Sequence, residues 1–434
     1  MTGRKAVFAL HDTTAHKNFR PIVDALPESF SVEYLLLDRL FDEAPKLPRG
    51  ELTPSREATD YVRAEVFERV NQRTRPGSLH AEAFQRVLED RISPHIAYDL
   101  RRYWQDARPD LFVCAHDRLP FVKHVVRMCH ERGVPSAVVQ HGLQNLRPVA
   151  SDSVLTDYLR PSTDPLVPQA EFLKRWLFHR YGAYIFCNPY LDAVYTMGDF
   201  FSEEIRALRA AFPAFGKTDI VTAGYPEYDL RGIEPYDPEI ERCVFLSGWE
   251  YEAEEWGERT ERRIAERLRR VAEANDVEVT VRPHPKDSPE KIERFYADFP
   301  ISNVDDLWTD IERHDLVLTV FSTALMLGIA EGKPCGVIDL PWKQNDFGPF
   351  QDPHLVPVTE SNVEVHERAR ERSRTTQERY LRRYCFIPAV HGDSGHETPG
   401  EYIASELVSL SPNGPDGSRE RRAVGTRDGP RRGR

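Results

Sequence analysis

The sequence predicts an α/β protein of two doubly wound domains, each built on a parallel sheet, and three observations lead there. Short apolar runs alternate with amphipathic stretches through the first half, the pattern of βαβ units. The same alternation restarts from Ile220, as expected of two similar domains rather than one long one. At 434 residues the chain also exceeds one ordinary core, which favours two units at roughly 150 residues or more each.

In order, Lys5 to Leu10 reads as a strand, the stretch His11 to His16 as a loop leading into a helix, and Val32 to Leu37 as a second strand. Ser78 to Asp106 carries helical periodicity broken at Ser93-Pro94. The clearest unit is the strand Leu111 to Ala115, the helix Phe121 to Arg132 and the strand Ser136 to Gln140, with Gly133 suited to a left-handed helix end. A strand near Tyr184 to Cys187 and the helix Phe201 to Ala211 complete the half, and Pro213 to Thr218 has linker composition. In the second half, Ile220 to Ala223, Cys243 to Leu246, Val277 to Val281, Leu316 to Val320 and Cys335 to Asp339 read as strands. Ile264, Leu268 and Val271 mark an amphipathic helix, Asn362 to Tyr384 a charged helix, and Glu401 to Leu410 a last one.

Composition narrows the function classes. The balance of 58 basic against 70 acidic residues, net −12, argues against nonspecific nucleic-acid binding. No stretch approaches the ~18 to 20 apolar residues of a membrane span, and Ala6 to Leu10 is too short for a signal core, so a cytoplasmic protein is expected. The six cysteines lack paired spacing and read as small buried hydrophobes. From Ser411 to Arg434, seven Arg stand against three acids among Gly and Pro, the composition of a disordered tail able to touch an anionic membrane surface.

In doubly wound sheets ligands collect at the carboxyl ends of strands, so the residues just after each apolar run are the candidates. His141, with Gly142 behind it, can take a proton from an acceptor hydroxyl or simply bond a backbone group. The loop Val281 to Asp287 presents Arg282 and His284, donors matched to a phosphate on which charge grows, though Arg282 also suits a structural ion pair. Ser322 or Thr323 is placed to cap a helix from Ala324 to Glu331, and Glu331 to bind a sugar hydroxyl or meet solvent. Gly224 opens a turn through Pro226 and Glu227, and Ser247-Gly248 ends a strand where backbone can approach a nucleotide. Trp249 or Tyr251 can stack on a base or pack in the core. With no P-loop, no G-x-G-x-x-G after the first strand and no H-E-x-x-H, the phosphate charge falls to Arg, His and helix ends. No metal and no cofactor beyond an activated donor are expected.

The order of these features, a His-Gly, a G-x-P turn, R-P-H-P, a Ser/Thr pair and Glu-Gly-Lys-Pro, resembles the CDP-glycerol glycerophosphotransferases and related capsular or surface polysaccharide transferases. The resemblance runs from about Leu111 to Gly395. It implies a GT-B fold of two Rossmann-like domains facing a central cleft: residues 1–214 on the acceptor side, 215–360 on the donor side, helices over 361–410 packing back across both, and the tail 411–434. It further implies His141 as base, Arg282 and His284 as a phosphate-binding arm, Ser322, Thr323 and Glu331 at the donor, and His391-Gly392-Asp393 as a late turn. The acceptor enters near His11, His16 and His141. Val320-Phe321 and Glu227 depart from the family pattern, which favours transfer of a sugar over a glycerophosphate onto a surface polysaccharide or lipid-linked glycan. An epimerase acting on a nucleotide sugar, or a noncatalytic glycan-assembly protein, shares the same fold.

Overall fold

The computed structural model of the chain describes residues 3–40, 47–62, 99–117, 120–141, 190–211, 218–248, 251–252, 257–340, 348–392 and 395–410. Gly142, the expected strand at Tyr184 to Cys187, most of the linker from Pro213, Trp249, Asp393 and the basic tail lie outside the described residues.

Among the described residues the strands form two sheets, both wholly parallel, so two α/β units are present as the alternation predicts. The first has seven strands: β1 (Arg4–Leu10), β2 (Phe30–Leu36), β3 (Ser55–Glu57), β4 (Leu111–Cys114), β5 (Ser136–Val139), β6 (Ala193–Thr196) and β7 (Asp219–Thr222). Their order across the sheet is β3-β2-β1-β4-β5-β6-β7. The second holds β8 (Arg242–Leu246), β9 (Glu278–Arg282), β10 (Leu316–Thr319), β11 (Cys335–Ile338) and β12 (Val356–Val358), ordered β12-β11-β10-β8-β9. The strands β4, β5, β6, β10 and β11 are buried at every residue, because helices cover both faces of each sheet.

Local chemistry explains the helices that frame the strand ends. The helix α1 (Thr13–Asp24) begins where Asp12 accepts from the Ala15 amide at 2.8 Å, so His16 stands in a helix and not in the expected loop. Gly133 closes the helix Pro120–Arg132 at φ 66°, as its position predicts. The helix Glu258–Asn275 turns Ile264, Leu268 and Val271 inward, all at most 1% exposed. The single charged helix expected over Asn362 to Tyr384 is broken: one segment spans His366–Arg370 and the next Arg374–Tyr384, opened by a capping box at Ser373. The five described cysteines are buried. No helix among the described residues is long and apolar enough to cross a membrane.

The end of the chain returns to the first sheet. Tyr380, Leu381 and Tyr384 pack in one cluster with Phe200 and Phe201 of the first unit and Val317 and Leu325 of the second. The Phe386 amide then donates to Met197 O at 2.7 Å, and a Cβ at Gly198 would sit 2.4 Å from Arg383 O. The last helix, Pro399–Leu410, buries Ile403, Ala404 and Leu407 against Phe8, Phe19 and Ala137.

Two histidines, His354 buried and His391 half-buried, make this fold acid-sensitive. Burial, and then nearby arginines, lower the pKa of His354 to about 4, and burial first lowers that of His391 to about 4 as well. Unfolding releases each to its ordinary value near 6.5, so the unfolded chain binds more protons between the two values. Stability is therefore full above pH 6.5 and falls as pH drops toward 4, by roughly 3 kcal/mol for His354 over the whole window, with the half-buried His391 adding a smaller loss of the same sign. Chemical denaturation at pH 7 and pH 4.5 checks this, with His354→Gln expected to flatten the dependence relative to the parent.

Candidate functional site

A doubly wound sheet opens a crevice where its strand order reverses, because the crossovers on either side leave toward opposite faces. In the first sheet that point lies between β1 and β4. The residues just beyond it are His11 after β1 and His116 after β4, and the register pairing Ala9 with Cys114, carried two places on, sets these two histidines side by side. His141 follows β5, one residue later than the register of Cys114 with Val138 would align with His116. The extra residue, Gln140, is buried and clamps β5 to β6: its amide donates to Tyr195 O at 2.9 Å and its Oε1 accepts from the Met197 amide at 3.0 Å.

The three imidazoles meet. Ring centroids lie 4.6 Å apart for His11 and His116, 4.9 Å for His11 and His141, and 4.2 Å for His116 and His141. His141 Nδ1 donates to Ala115 O at 3.0 Å; a carbonyl only accepts, so the neutral ring carries its lone pair on Nε2. His11 Nε2 stands 3.4 Å from the Asp12 carboxylate. His16 does not join them: burial lowers its pKa, and the charges acting on it are those of Glu51 and Arg20.

The second sheet reverses between β8 and β10. Ser247 and Gly248 follow β8, and Ser322 and Thr323 lie just past β10, so these four candidates share one crevice edge. The helix beyond is shorter than expected, Leu325–Ala330, and Ala324 stands at its cap without a side-chain bond. Ser322 Oγ instead accepts from the Ala324 amide at 3.2 Å, so neither hydroxyl caps the helix.

Below this edge lies a buried cation that the sequence reading passed over. Lys291 Nζ donates to Asp287 at 2.9 Å and Ser247 Oγ at 3.1 Å, also to Gly248 O, and pairs with Glu261 at 3.4 Å and Glu252 at 3.6 Å. Burial alone would lower its pKa, but Glu261, Asp287 and Glu252 outweigh it and hold the ammonium above the ordinary lysine value. One lysine thus ties the loop after β8 to the loop after β9.

The phosphate arm is corrected in part. Arg282 is the last residue of edge strand β9, and its guanidinium is bound inward to Asp310, to Val304 O at 2.8 Å and to Asp305 O at 3.1 Å. A fork already closed on a buried carboxylate has few donors left for a phosphate. His284 Nδ1 accepts from the Lys286 amide at 3.1 Å, and burial lowers its pKa, so near neutral pH it offers one Nε2–H donor and no positive charge.

Three further candidates stand elsewhere. Gly224 adopts φ +94° and a Cβ there would meet Phe386 O at 2.2 Å, so the glycine admits the returning chain. Glu331 ends its helix four residues before β11 begins, which puts it at the amino edge of the sheet, opposite the crevice. Tyr251 packs edge-on against Phe295, with centroids 5.4 Å apart. Glu227, read in the sequence as part of the Gly224 turn and as a departure from the family pattern, sits in a turn packed on α1. Burial raises its pKa, and Asp12 adds to the rise against the pull of the Tyr225 hydroxyl, which donates to it at 2.7 Å.

No protein family matches the sequence, and no curated protein resembles it. Solved structures do match in shape. A proposed UDP-N-acetylglucosamine 2-epimerase of Listeria monocytogenes is 12% identical with a TM-score of 0.51, over 95% of this chain and 96% of that one. The UDP-GlcNAc 2-epimerase of Methanocaldococcus jannaschii is 14% identical with a TM-score of 0.46, covering 94% and 99%. The glycotransferase of kitacinnamycin is 14% identical at 0.49, covering 95% and 100%. At such identities the likeness shows the fold alone, and that fold is GT-B.

The Arg282 assignment has a direct check. Removing it leaves Asp310, whose side chain is 2% exposed, as an unpaired buried charge. Arg282→Ala is expected to lose about 3 kcal/mol or more of stability in urea unfolding while nucleotide affinity by calorimetry changes little. Unchanged stability with lost affinity restores the arginine to the phosphate.

Proposed function

We propose that the protein acts on a nucleotide-activated donor and transfers its sugar, or a polyol phosphate, to a hydroxyl of a surface polysaccharide or lipid-linked glycan. The observation that carries this reading is the content of the two strand-order reversals. Proton-accepting imidazoles occupy the first, and a backbone-exposing glycine beside small hydroxyl residues occupies the second.

In this reading the donor diphosphate lies against Ser247, Gly248, Ser322 and Thr323, with His284 Nε2–H as a neutral donor. The acceptor hydroxyl enters at His11 and His141. In sugar transfer its oxygen attacks the donor carbon and the bond to the diphosphate breaks; in polyol phosphate transfer it attacks the distal phosphorus and the nucleoside monophosphate leaves. In either case the hydroxyl proton passes to the histidine cluster through the His141 lone pair. Donors aimed at the departing phosphate stabilise the charge that grows there. Glu227, with its raised pKa, can receive or return a proton beside α1. The order of motifs shared with the glycerophosphotransferases and surface-polysaccharide transferases supports transfer. Epimerisation of the same donor is the second reading, favoured by the likeness to the proposed Listeria epimerase.

A panel of nucleotide sugars, incubated with and without glycan acceptors, separates these. Transfer predicts nucleotide release that depends on acceptor, falling about 100-fold or more in His141→Ala. An epimer formed without acceptor identifies the second reading. Absence of nucleotide binding by calorimetry overturns both and leaves a noncatalytic role.

A further inference from the structure

The triangle of His11, His116 and His141 is more convergent than its strands require. Neighbouring parallel strands lie roughly 4.8 Å apart, so residues after β1 and β5, with β4 between them, start about 9.6 Å apart. The His11 and His141 rings are nonetheless 4.9 Å apart. The difference has a visible cause: His141 follows β5 by one extra residue and its Nδ1–H reaches across to the carbonyl of Ala115, at the end of β4. One nitrogen from each ring lies within 4.8 Å of the other two, and all three residues are half-buried.

We propose that these three histidines bind one divalent transition ion of the zinc class, leaving a coordination position open. The donor set selects the class: three imidazoles suit zinc, cobalt, nickel or ferrous iron, whereas magnesium and calcium take oxygen ligands. Three protein ligands with an open fourth position is the composition of catalytic and not structural zinc sites. An ion at ~2.0–2.1 Å from each nitrogen draws them to about 3.3 Å apart, a contraction that ring rotation supplies.

The surroundings are those of a metal site. Metal-bound imidazoles commonly donate their second nitrogen to a carbonyl or carboxylate, which fixes the tautomer and the ring. Ala115 O does this for His141, and the Asp12 carboxylate stands beside Nε2 of His11. Both His11 and His116 are followed in the chain by an aspartate, and Asp117 is 2% exposed. The Asp12 carboxylate, beside His11, offsets part of the ion's charge.

The site goes beyond the reaction proposed above and is tested by binding alone. An ion there polarises a water or hydroxyl in its open position, and His141 then serves as ligand in place of base. Chelator-stripped protein, titrated with Co2+ and Zn2+ by calorimetry and visible absorption, is expected to take up one equivalent. Cobalt should give the intense absorption of a four-coordinate site and be displaced by zinc. His116→Ala weakens uptake about 100-fold or more, whereas His130→Ala, an exposed histidine, leaves it unchanged. Asp12→Asn keeps the cap of α1 and lowers affinity about 10- to 100-fold. Circular dichroism verifies that each variant is folded, with His116→Gln standing in if the alanine variant is not. Failure of the folded parent to bind, or equal binding by the parent and the folded His116 variant, overturns the proposal.

Discussion

Parallel pairing of β1 with β4, and of β4 with β5, is the constraint on which the candidate site depends. Parallel strands send every carboxyl end to the same edge, and each needs a crossover through a helix before the next can start. Where the order turns at β1 and β4, the two crossovers diverge and leave a crevice between them. Whatever follows those strands therefore occupies a crevice at fixed spacing. In this protein three imidazoles do, held from beneath by strands that are buried at nearly every residue.

The second unit solves a different problem with the same geometry. Its crevice edge carries Ser247-Gly248 and Ser322-Thr323, short residues without charge, so the loops must be held from outside. Lys291 does this with a single ammonium shared among two loops and three carboxylates. A buried cation is costly unless fully bonded, and that cost makes the arrangement specific: moving either loop leaves a charge unpaired. Arg282 and Asp310 fasten the adjacent edge strand in the same way.

Much of the fold was legible in sequence, because apolar runs of strand length bounded by turn residues are local signals. The strands that escaped, β3, β6 and β12, have three or four residues each and little pattern to detect. The site was legible only in part. His11 stood out as the first polar residue past an apolar run and His141 as the second, after Gln140, and His116 follows Leu111 to Ala115 as His11 follows its strand. Its importance arises from β1 lying beside β4, a pairing of segments remote in the chain that no window reveals. Arg282 shows the opposite limit: it was read as lying just past a strand and proves to be that strand's last residue, and Asp310, which engages it, lies 28 residues on. Ser373 broke an expected helix because a capping box competes locally with continued helical pattern.

The return of the last helix to the first sheet bears on how the molecule comes into being. Phe8, Phe19 and Ile22 pack with Ile403, Ala404 and Leu407, so among the described residues this face of the first unit is completed by the last helix. During synthesis, units fold from the amino end as they emerge. Here the amino-terminal unit leaves the ribosome first yet finishes last, waiting with an apolar face open through the making of the entire second unit. A nascent chain of this kind has reason to engage a chaperone, and lobes cut apart at the linker would each inherit an unfinished surface.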